Sequence, residues 1–327
     1  MEEQEGFRVP ILSPVVAAVR RRYRVFIAAA ALAFLGYVAG QAWQYARSGM
    51  REDPRYRVTA ASIQTPPVPP WIRTDIRLEA LRDAGLHGDL SVLDPPDQLQ
   101  KRLADAFAFH PWVESVGAVT KRPPNRIFIE LTYRRPLLAV EVSPEMSGRG
   151  DELWPVDFQA VRLPSGDLTE AELRYLPRLI GVDSTTLTGE VWRDARVQGA
   201  VSLATAFGDQ WRALQLVDLQ PRRSPEVFGD LRYPVFDLFT RGGTRVVWGA
   251  APAFSPPSEA PFATKLATLQ GYVAKSGPLD TASITTPAVL DVRNGLQVTP
   301  RTAKKDSPRT AQAESSSEEA EGEAVVK

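Results

Sequence analysis

The sequence predicts an α+β protein with one N-terminal transmembrane helix, a small mixed module and a larger, mostly antiparallel β module with flanking helices. Three features lead to this class: a long apolar run near the N-terminus, a helix followed by two strands at residues 94–133, and several strand-like runs at residues 137–300. With 327 residues, 43% of them hydrophobic and 24% charged, the chain has enough apolar material for about two globular domains.

The apolar run Val25–Ala46 has 22 residues, and as a helix it would extend about 33 Å, which is enough to cross a bilayer. Aromatic residues suited to membrane interfaces flank this run: Tyr23, Trp43 and Tyr45. Basic residues cluster before it: Arg20, Arg21, Arg22 and Arg24. This cluster favours a cytoplasmic segment at residues 1–24, a bilayer anchor at 25–46 and a large part outside the cytoplasm, the single-pass type II arrangement.

Two other interpretations of the apolar run stay open. Buried core helices of soluble domains also have long apolar sequences. A cleaved signal peptide is the second alternative, because Gly40-Gln41-Ala42 resembles a small-x-small cleavage site. The flank Trp43-Gln44-Tyr45 favours an uncleaved interfacial anchor, with residues 47–56 as a short polar linker.

Residues 57–136 are predicted to form the small domain, in the order strand, helix, helix, strand, strand. A strand is expected at residues 57–63 and a helix at 74–84, which Gly85 would terminate. The second helix would begin with Asp94 as its cap and Pro95 at its first position. Its apolar residues recur on one stripe: Leu99, Leu103, Ala106 and Phe107.

Two strands follow this helix, at residues 113–119 and 126–133, with Pro123-Pro124-Asn125 as the turn between them. In the second strand, Ile127, Ile129 and Leu131 alternate with Phe128 and Glu130. A period of two is typical of a sheet that is covered on one face. We therefore expect the helix stripe to pack on this face.

Residues 137–300 are predicted to form the larger β domain. Strand-like runs lie at residues 137–142, 214–219, 235–239, 244–248 and 289–293, with a turn at Arg241-Gly242-Gly243. Helices are expected at 198–207 and 263–273. Residues 301–327 contain little apolar material that could be buried, so this tail is predicted to be disordered.

Asn294-Gly295 favours a type I′ hairpin that would place residues 296–300 alongside 289–293. The last strand would then lie at a sheet edge, where unpaired backbone groups can accept a partner's strand. An ordinary closing strand that Pro300 terminates is an equally good interpretation of this pattern.

The composition argues against several other classes of protein. Lys plus Arg and Asp plus Glu both number 39, so nothing favours a nucleic-acid partner. Without cysteine there can be no disulfide, thiolate zinc site or thiol catalysis. His87 and His110 have no further ligand at metal-site spacing, and no catalytic or nucleotide-binding motif occurs. We expect a protein with no catalysis, no cofactor and no small-molecule substrate.

Several short motifs resemble the FtsQ/DivIB family of bacterial cell-division proteins and its POTRA domain. They are His-Pro-Trp-Val at 110–113, Arg-Pro-Pro-Asn at 122–125, Tyr-Arg-Arg-Pro at 133–136, Leu-Pro-Arg-Leu-Ile-Gly at 176–181, Lys-Leu-Ala-Thr-Leu at 265–269 and Leu-Asp-Val-Arg at 290–293. The resemblance covers roughly residues 20–300, in order and behind one membrane segment. It implies a scaffold of the cell inner membrane that acts at the division septum.

The resemblance also implies where partners bind. In this family the partners FtsB and FtsL dock at the last strand, which corresponds here to Val292, Arg293, Gly295, Leu296, Gln297 and Val298. This chain departs from the commoner pattern, because Asn294 rather than an aromatic residue follows Arg293. Two other functions stay open: an adaptor for secretion or envelope assembly, since POTRA units occur there too, and a membrane-tethered envelope enzyme.

Overall fold

The computed structural model describes residues 13–52, 55–86, 88, 90–122, 125–148, 152–228, 231–254 and 256–301. The chain divides into two compact units. Unit 1 comprises Met1–Arg135 together with Gly166–Leu168, and unit 2 comprises Pro136–Ser165 together with Thr169–Lys327. The mixed α+β class predicted from the sequence is confirmed.

The N-terminal helix α1 runs over Ser13–Glu52. Its segment Val25–Ala46 is strongly apolar, and none of it is buried. By length and composition this segment is able to cross a membrane, although signal sequences near an N-terminus share these properties.

Among its described residues, the remainder of unit 1 contains two α-helices and a three-stranded sheet. In chain order the elements are β1 (Ile63–Gln64), α2 (Ile76–Asp83), α3 (Pro96–Ala108), β2 (Val113–Arg122) and β3 (Arg126–Tyr133). The strand order in the sheet is β1-β3-β2, with β1 parallel and β2 antiparallel to β3. The succession strand, helix, helix, strand, strand is therefore observed.

The core of unit 1 lies between α3 and the sheet. The four predicted stripe residues of α3 are buried, as are Ile127, Ile129 and Leu131 of β3. Trp112 is also fully buried, and its indole Nε1–H donates to the Oδ2 of Asp167 at 2.6 Å. The same carboxylate accepts from the backbone N–H and the hydroxyl of Thr74, both at 3.0 Å. Burial of this indole therefore leaves its polar group satisfied.

The predicted strand at residues 57–63 is wrong over most of its length. Ala60–Ser62 form a 3₁₀ turn, and only Ile63 and Gln64 enter the sheet. The Oγ of Ser62 accepts from the backbone N–H of Thr59 at 2.9 Å and donates to the carbonyl of Thr59 at 2.7 Å. These local bonds satisfy backbone groups that a longer strand would place in a ladder.

The predicted cap of α3 is also wrong, because the helix starts at Pro96 after Pro95. The carboxylate of Asp94 instead accepts from the backbone N–H of Ser91 at 3.0 Å, in the turn before the helix. At α2 the prediction is closer: Asp75 caps the helix through the N–H of Arg77, and Gly85 follows with a positive φ of 63°. Pro123 and Pro124 of the predicted turn lie outside the described residues.

Unit 2 contains ten strands and five helices among its described residues. In chain order they are β4 (Leu138–Val142), α4 (Pro144–Ser147), β5 (Glu152–Val156), α5 (Glu170–Arg174), β6 (Arg178–Leu179), α6 (Ala195–Phe207), α7 (Gln210–Ala213), β7 (Leu216–Pro221), β8 (Glu226–Phe228), β9 (Leu231–Tyr233), β10 (Val235–Thr240), β11 (Arg245–Ala250), α8 (Phe262–Ser276), β12 (Val289–Asp291) and β13 (Gln297–Thr299).

Eight of these strands form one sheet in the order β13-β12-β11-β10-β7-β6-β4-β5. The pairs β4/β6, β6/β7 and β11/β12 are parallel and the other neighbours are antiparallel. The sheet is therefore mixed, which corrects the expectation of a mostly antiparallel domain. The predicted strands are present with ends that differ by up to two residues.

A single row of apolar side chains crosses the core face of this sheet. In register these residues are Val140, Leu179, Leu219, Leu238, Val246 and Leu290, all with no exposed surface. Helices α6 and α8 contribute Phe207 and Leu269 to the same core. One continuous apolar core therefore supports the sheet from β4 to β12.

Candidate partner-binding edge

The strand β13 lies at one end of the eight-stranded sheet, with β12 as its neighbour. The two strands pair antiparallel, with Val289 opposite Thr299, Leu290 opposite Val298 and Asp291 opposite Gln297. Among the strands that the structure describes, none pairs with the outer side of β13. The predicted position of the last strand at a sheet edge is confirmed, and such an edge presents unpaired backbone groups.

The connection between β12 and β13 differs from the predicted type I′ turn. Five residues, 292–296, separate the paired Asp291 and Gln297. Gly295 has a φ of 110°, whereas Asn294 is not among the residues with positive φ, as a type I′ turn would require. The register is therefore displaced by one residue from that of a two-residue turn.

Contacts with the segment before α8 explain the longer connection. The Nδ2 of Asn294 donates to the carbonyl of Ser258 at 2.9 Å. The carbonyl of Arg293 accepts from the backbone N–H of Ala260 at 2.9 Å. The Asn294 side chain is therefore used to hold the connection against this segment, and a tight turn does not form.

The predicted partner-binding residues fall into two groups. Gly295, Leu296, Gln297 and Val298 are exposed and contiguous, with 43% of Leu296 and 46% of Val298 accessible. Val292 is only 1% exposed and packs in the core, so its side chain supports the edge from behind. Arg293 lies between the two groups and is partly buried.

Val298 occupies a distinctive place in the sheet. It pairs with Leu290, and the two are the last members of the apolar row that crosses the core face. Leu290 is fully buried, whereas Val298 is almost half exposed. The apolar row therefore runs to the open edge, where a strand with an apolar residue in the matching position would extend it.

Ion pairs hold the strands next to this edge. Arg293 donates to both carboxylate oxygens of Asp291, with the shortest distance 2.8 Å from Nη2 to Oδ2. Burial favours the neutral form of Asp291, but the hydrogen bonds from Arg293 outweigh it and hold the pKa of this carboxyl below its ordinary value. Asp237 of β10 is similarly bound by Arg222 and Arg245.

Where β12 ends, the side chains of a buried ion pair bind backbone groups of β11. β12 pairs with β11 only over Arg245 to Val247. Beyond this point the Nζ of Lys265 donates to the carbonyl of Trp248 at 3.0 Å, and the Oε2 of Glu259 accepts from the N–H of Ala250 at 3.0 Å. Lys265 and Glu259 also bind each other. These two side chains therefore form the hydrogen bonds to the β11 backbone that a neighbouring strand would form.

Lys265 belongs to the Lys-Leu-Ala-Thr-Leu motif, but neither its role at β11 nor that of Glu259 was predicted from the sequence. Gly249 is the residue in the sequence that could have indicated this arrangement. In the structure it has a φ of 87°. A Cβ at this position would collide with the Glu259 carboxylate, which it would meet at 2.3 Å. Glycine is therefore required where a side chain approaches the strand this closely.

The opposite end of the sheet is covered where β5 ends, at Pro155 and Val156. The N–H of Leu163 donates to the carbonyl of Pro155 in β5 at 2.8 Å, and Arg162 forms an isolated antiparallel bridge with Val156. The guanidinium of Arg162 also lies 3.4 Å from the ring centre of Trp154. In the described part of this sheet, β13 is thus the end that is left open.

The predicted membrane-anchoring residues lie on α1. Tyr23, Trp43 and Tyr45 are exposed. Arg20, Arg21, Arg22 and Arg24 belong to the same helix, and their side chains lie outside the described part of the structure. The predicted disordered tail beyond Arg301 also lies outside it.

His110 makes local hydrogen bonds with both ring nitrogens. Its Nδ1 accepts from the backbone N–H of Trp112 at 3.2 Å, and its Nε2 lies 3.2 Å from the Oε2 of Glu79. His87 lies outside the described residues. Among the residues that are described, no three His, Cys, Asp or Glu side chains are grouped so that they could hold a metal ion.

Comparison of the sequence with protein-family models and with curated proteins finds no match.

Proposed function

We propose that this protein is a non-enzymatic scaffold of bacterial cell division that resembles the FtsQ/DivIB proteins. α1 tethers it to the cytoplasmic membrane, with the N-terminus in the cytoplasm and both units outside. The observation that carries the proposal is the open β13 edge, at which a buried apolar row ends on the exposed Val298. A strand edge of this kind is suited to binding another chain and not to chemistry.

The succession of elements in unit 1 supports a POTRA-like domain. Helices α2 and α3 of this unit separate a short strand from an antiparallel pair. The motif at residues 110–113 lies where α3 leads into β2. In this proposal unit 1 offers a recruitment surface, and unit 2 binds membrane-anchored division partners that resemble FtsB and FtsL.

Binding proceeds by strand addition. A partner segment pairs with the outer backbone groups of β13 and places an apolar side chain beside Val298, while Gly295 and Leu296 contact its flank. Arg293 stays bound to Asp291 and keeps the β12–β13 connection ordered for this contact. Main-chain hydrogen bonds provide affinity, and the side chains of β13 provide selectivity.

The test is to convert the apolar face of the edge to acid and to compare it with an acidic substitution on the other face. We expect the double variant Leu296→Glu/Val298→Glu to lose co-purification with FtsB-like and FtsL-like partners by about tenfold or more, because a carboxylate cannot join the apolar row. Gln297→Glu is the matched control, since its side chain alternates to the opposite face of the strand. It should retain capture of the partners.

These substitutions are preferable to deletion of residues 289–300, because Leu290 and Val292 are buried and their loss would damage the core. The thermal unfolding temperature should change only slightly in both acidic variants, since all three substituted residues are classed as exposed. Fluorescence of the tagged full chain should form a mid-cell band. Uniform membrane fluorescence, or equal partner capture by all variants, would contradict the proposal.

A further inference from the structure

Unit 2 has a cavity of about 600 Å³ at the start of β7. Tyr175 and Arg174 line one part of it, and Arg212, Gln215 and Arg241 line another. None of its lining residues belongs to the β12–β13 connection or to β13. The cavity is thus a feature separate from the proposed partner-binding edge.

The side chains in this cavity are suited to an anion. The guanidinium of Arg212 lies 3.8 Å from the ring centre of the exposed Tyr175. In the part of the chain that the structure describes, neither Arg212 nor Arg241 forms an ion pair. The one carboxylate in the lining, Asp218, is bound by Arg178 at 2.8 Å. The two exposed arginines therefore give this cavity a net positive charge that a carboxylate would balance.

The backbone of Gln215 joins the two arginines. Its N–H donates to the carbonyl of Arg212 at 2.9 Å, and its carbonyl accepts from the N–H of Arg241 at 2.8 Å. Gln215 has a φ of 59°, a left-handed conformation that is costly for a residue with a side chain. The backbone hydrogen bonds of Gln215 thus hold both arginines at the same cavity.

The floor of the cavity includes strand backbone. β6 has only two residues, and its pairing with β7 begins at Arg178 opposite Asp218. Leu216 and Val217, which line the cavity, lie before this pairing starts. No described strand pairs with these two residues on the β6 side, so that an extended segment could bind there as well as at the arginines.

The chain itself supplies a matching segment. Arg301, the last described residue, donates from Nη2 to the carbonyl of Gly242 at 3.1 Å, directly beside Arg241. Residues 314–323 contain no basic residue and five acidic ones: Glu314, Glu318, Glu319, Glu321 and Glu323. The 13 residues from Arg301 to Glu314 reach up to about 43 Å when extended.

We propose that the acidic segment 314–323 docks in cis on this cavity, with its glutamates pairing with Arg212 and Arg241. The two parts complement each other in charge, and the chain leaves the described structure beside the turn that carries Arg241. Tethering makes the encounter intramolecular, so that individually weak ion pairs suffice. This proposal does not depend on the role of the protein in cell division.

Disulfide cross-linking of the full chain in detergent tests the docking, because the natural sequence has no cysteine. Ala213, exposed next to Arg212, is changed to cysteine together with Ser316→Cys in the acidic segment. The control pairs Ser316→Cys with Thr185→Cys, an exposed position that lines a different cavity. Nearby arginines alter the reactivity of a thiol. Each cross-linking rate is therefore divided by the rate at which the same unit 2 cysteine reacts with a small neutral disulfide reagent.

We expect the Ala213→Cys pair to form a monomeric cross-link several-fold faster than the control pair. Changing all five glutamates to glutamine should reduce this rate to that of the control, without altering the cavity. Arg212→Gln/Arg241→Gln or high salt should do the same. Equal rates for the two cysteine pairs, no effect of the glutamine substitutions, or cross-linked dimers in place of monomers would overturn docking in cis.

Discussion

At the residue scale, Lys265 and Glu259 are the most consequential side chains near the candidate edge. Only 3% of the Lys265 side chain and 6% of the Glu259 side chain are exposed. Each charge is compensated by the other and by a backbone group of β11. A buried pair of this kind contributes little net stability when intact, but the loss of one partner leaves an uncompensated charge.

Lys265→Met should therefore destabilise the full chain by about 3–5 kcal/mol, because the Glu259 carboxylate stays buried without its partner. The double variant Lys265→Met/Glu259→Gln should lose less unfolding free energy than the sum of the losses in the two single variants, since neither charge remains. Urea unfolding in detergent, followed by tryptophan fluorescence, measures these free energies. Additive losses in the double-mutant cycle would show that the two side chains act independently.

At the element scale, the start of α6 depends on Asp194. Its carboxylate accepts from the backbone N–H of Arg196 at 2.8 Å and from the hydroxyl of Ser184 at 2.6 Å. Burial favours the neutral acid, but hydrogen bonds from Arg196 and Ser184 outweigh it and lower the pKa of Asp194 below its ordinary value of 3.8. The charged cap is thus the form that stabilises the helix.

This lowered pKa predicts how stability depends on pH. A depressed folded-state pKa adds stability above the ordinary value of 3.8, and this stability is lost as the pH falls through the folded-state pKa. Asp194→Asn should destabilise the protein by about 1 kcal/mol at neutral pH, since asparagine still caps but loses the charge-assisted bonds. The difference in unfolding free energy between this variant and the natural protein should become smaller below pH 3.8.

Unfolding in urea at neutral and acidic pH measures this difference. Asp183→Asn is the matched control, because Asp183 binds the same Arg196 from a largely exposed position, where solvent weakens the pair. It should change stability much less than Asp194→Asn. If the difference in unfolding free energy between Asp194→Asn and the natural protein did not depend on pH, a role for the charged carboxylate would be contradicted.

At the scale of the whole molecule, the exposed apolar surface of α1 favours residence in a membrane. Val25–Ala46 presents its side chains outward along its whole length. Outside a bilayer, this surface would remain in contact with water at a large free-energy cost. Membrane insertion removes that cost, and the flanking Tyr23, Trp43 and Tyr45 suit the interfaces.

We accordingly expect the full chain to remain in the membrane fraction after alkaline carbonate extraction. Protease added to spheroplasts should remove a C-terminal tag and leave an N-terminal tag protected. Mass spectrometry of the isolated protein should find its N-terminus ahead of Ala42. A soluble product that starts at Trp43 would identify a signal peptide, and protection of the C-terminal tag would reverse the orientation.

Features that depend on local sequence were predictable. The apolar run of α1, the stripe of α3, the alternation in β3 and the closing strand β13 each follow from hydrophobic periodicity or turn residues. These signals lie within about 20 consecutive residues. Periodicity reports which face of an element is buried, whereas the edge strand was located from the Asn294-Gly295 turn signal, although the predicted type I′ turn does not form.

What the sequence by itself determined is the kind and order of elements around the candidate edge, since each is encoded in its own residues. Only the tertiary structure decided the register of β12 and β13, because Asn294 bonds to Ser258, 36 residues away. The same holds for the Glu259–Lys265 pair on β11 and for the exposure of Val298 beside the buried Leu290. Such contacts join distant segments, and they depend on packing that no single stretch of sequence specifies.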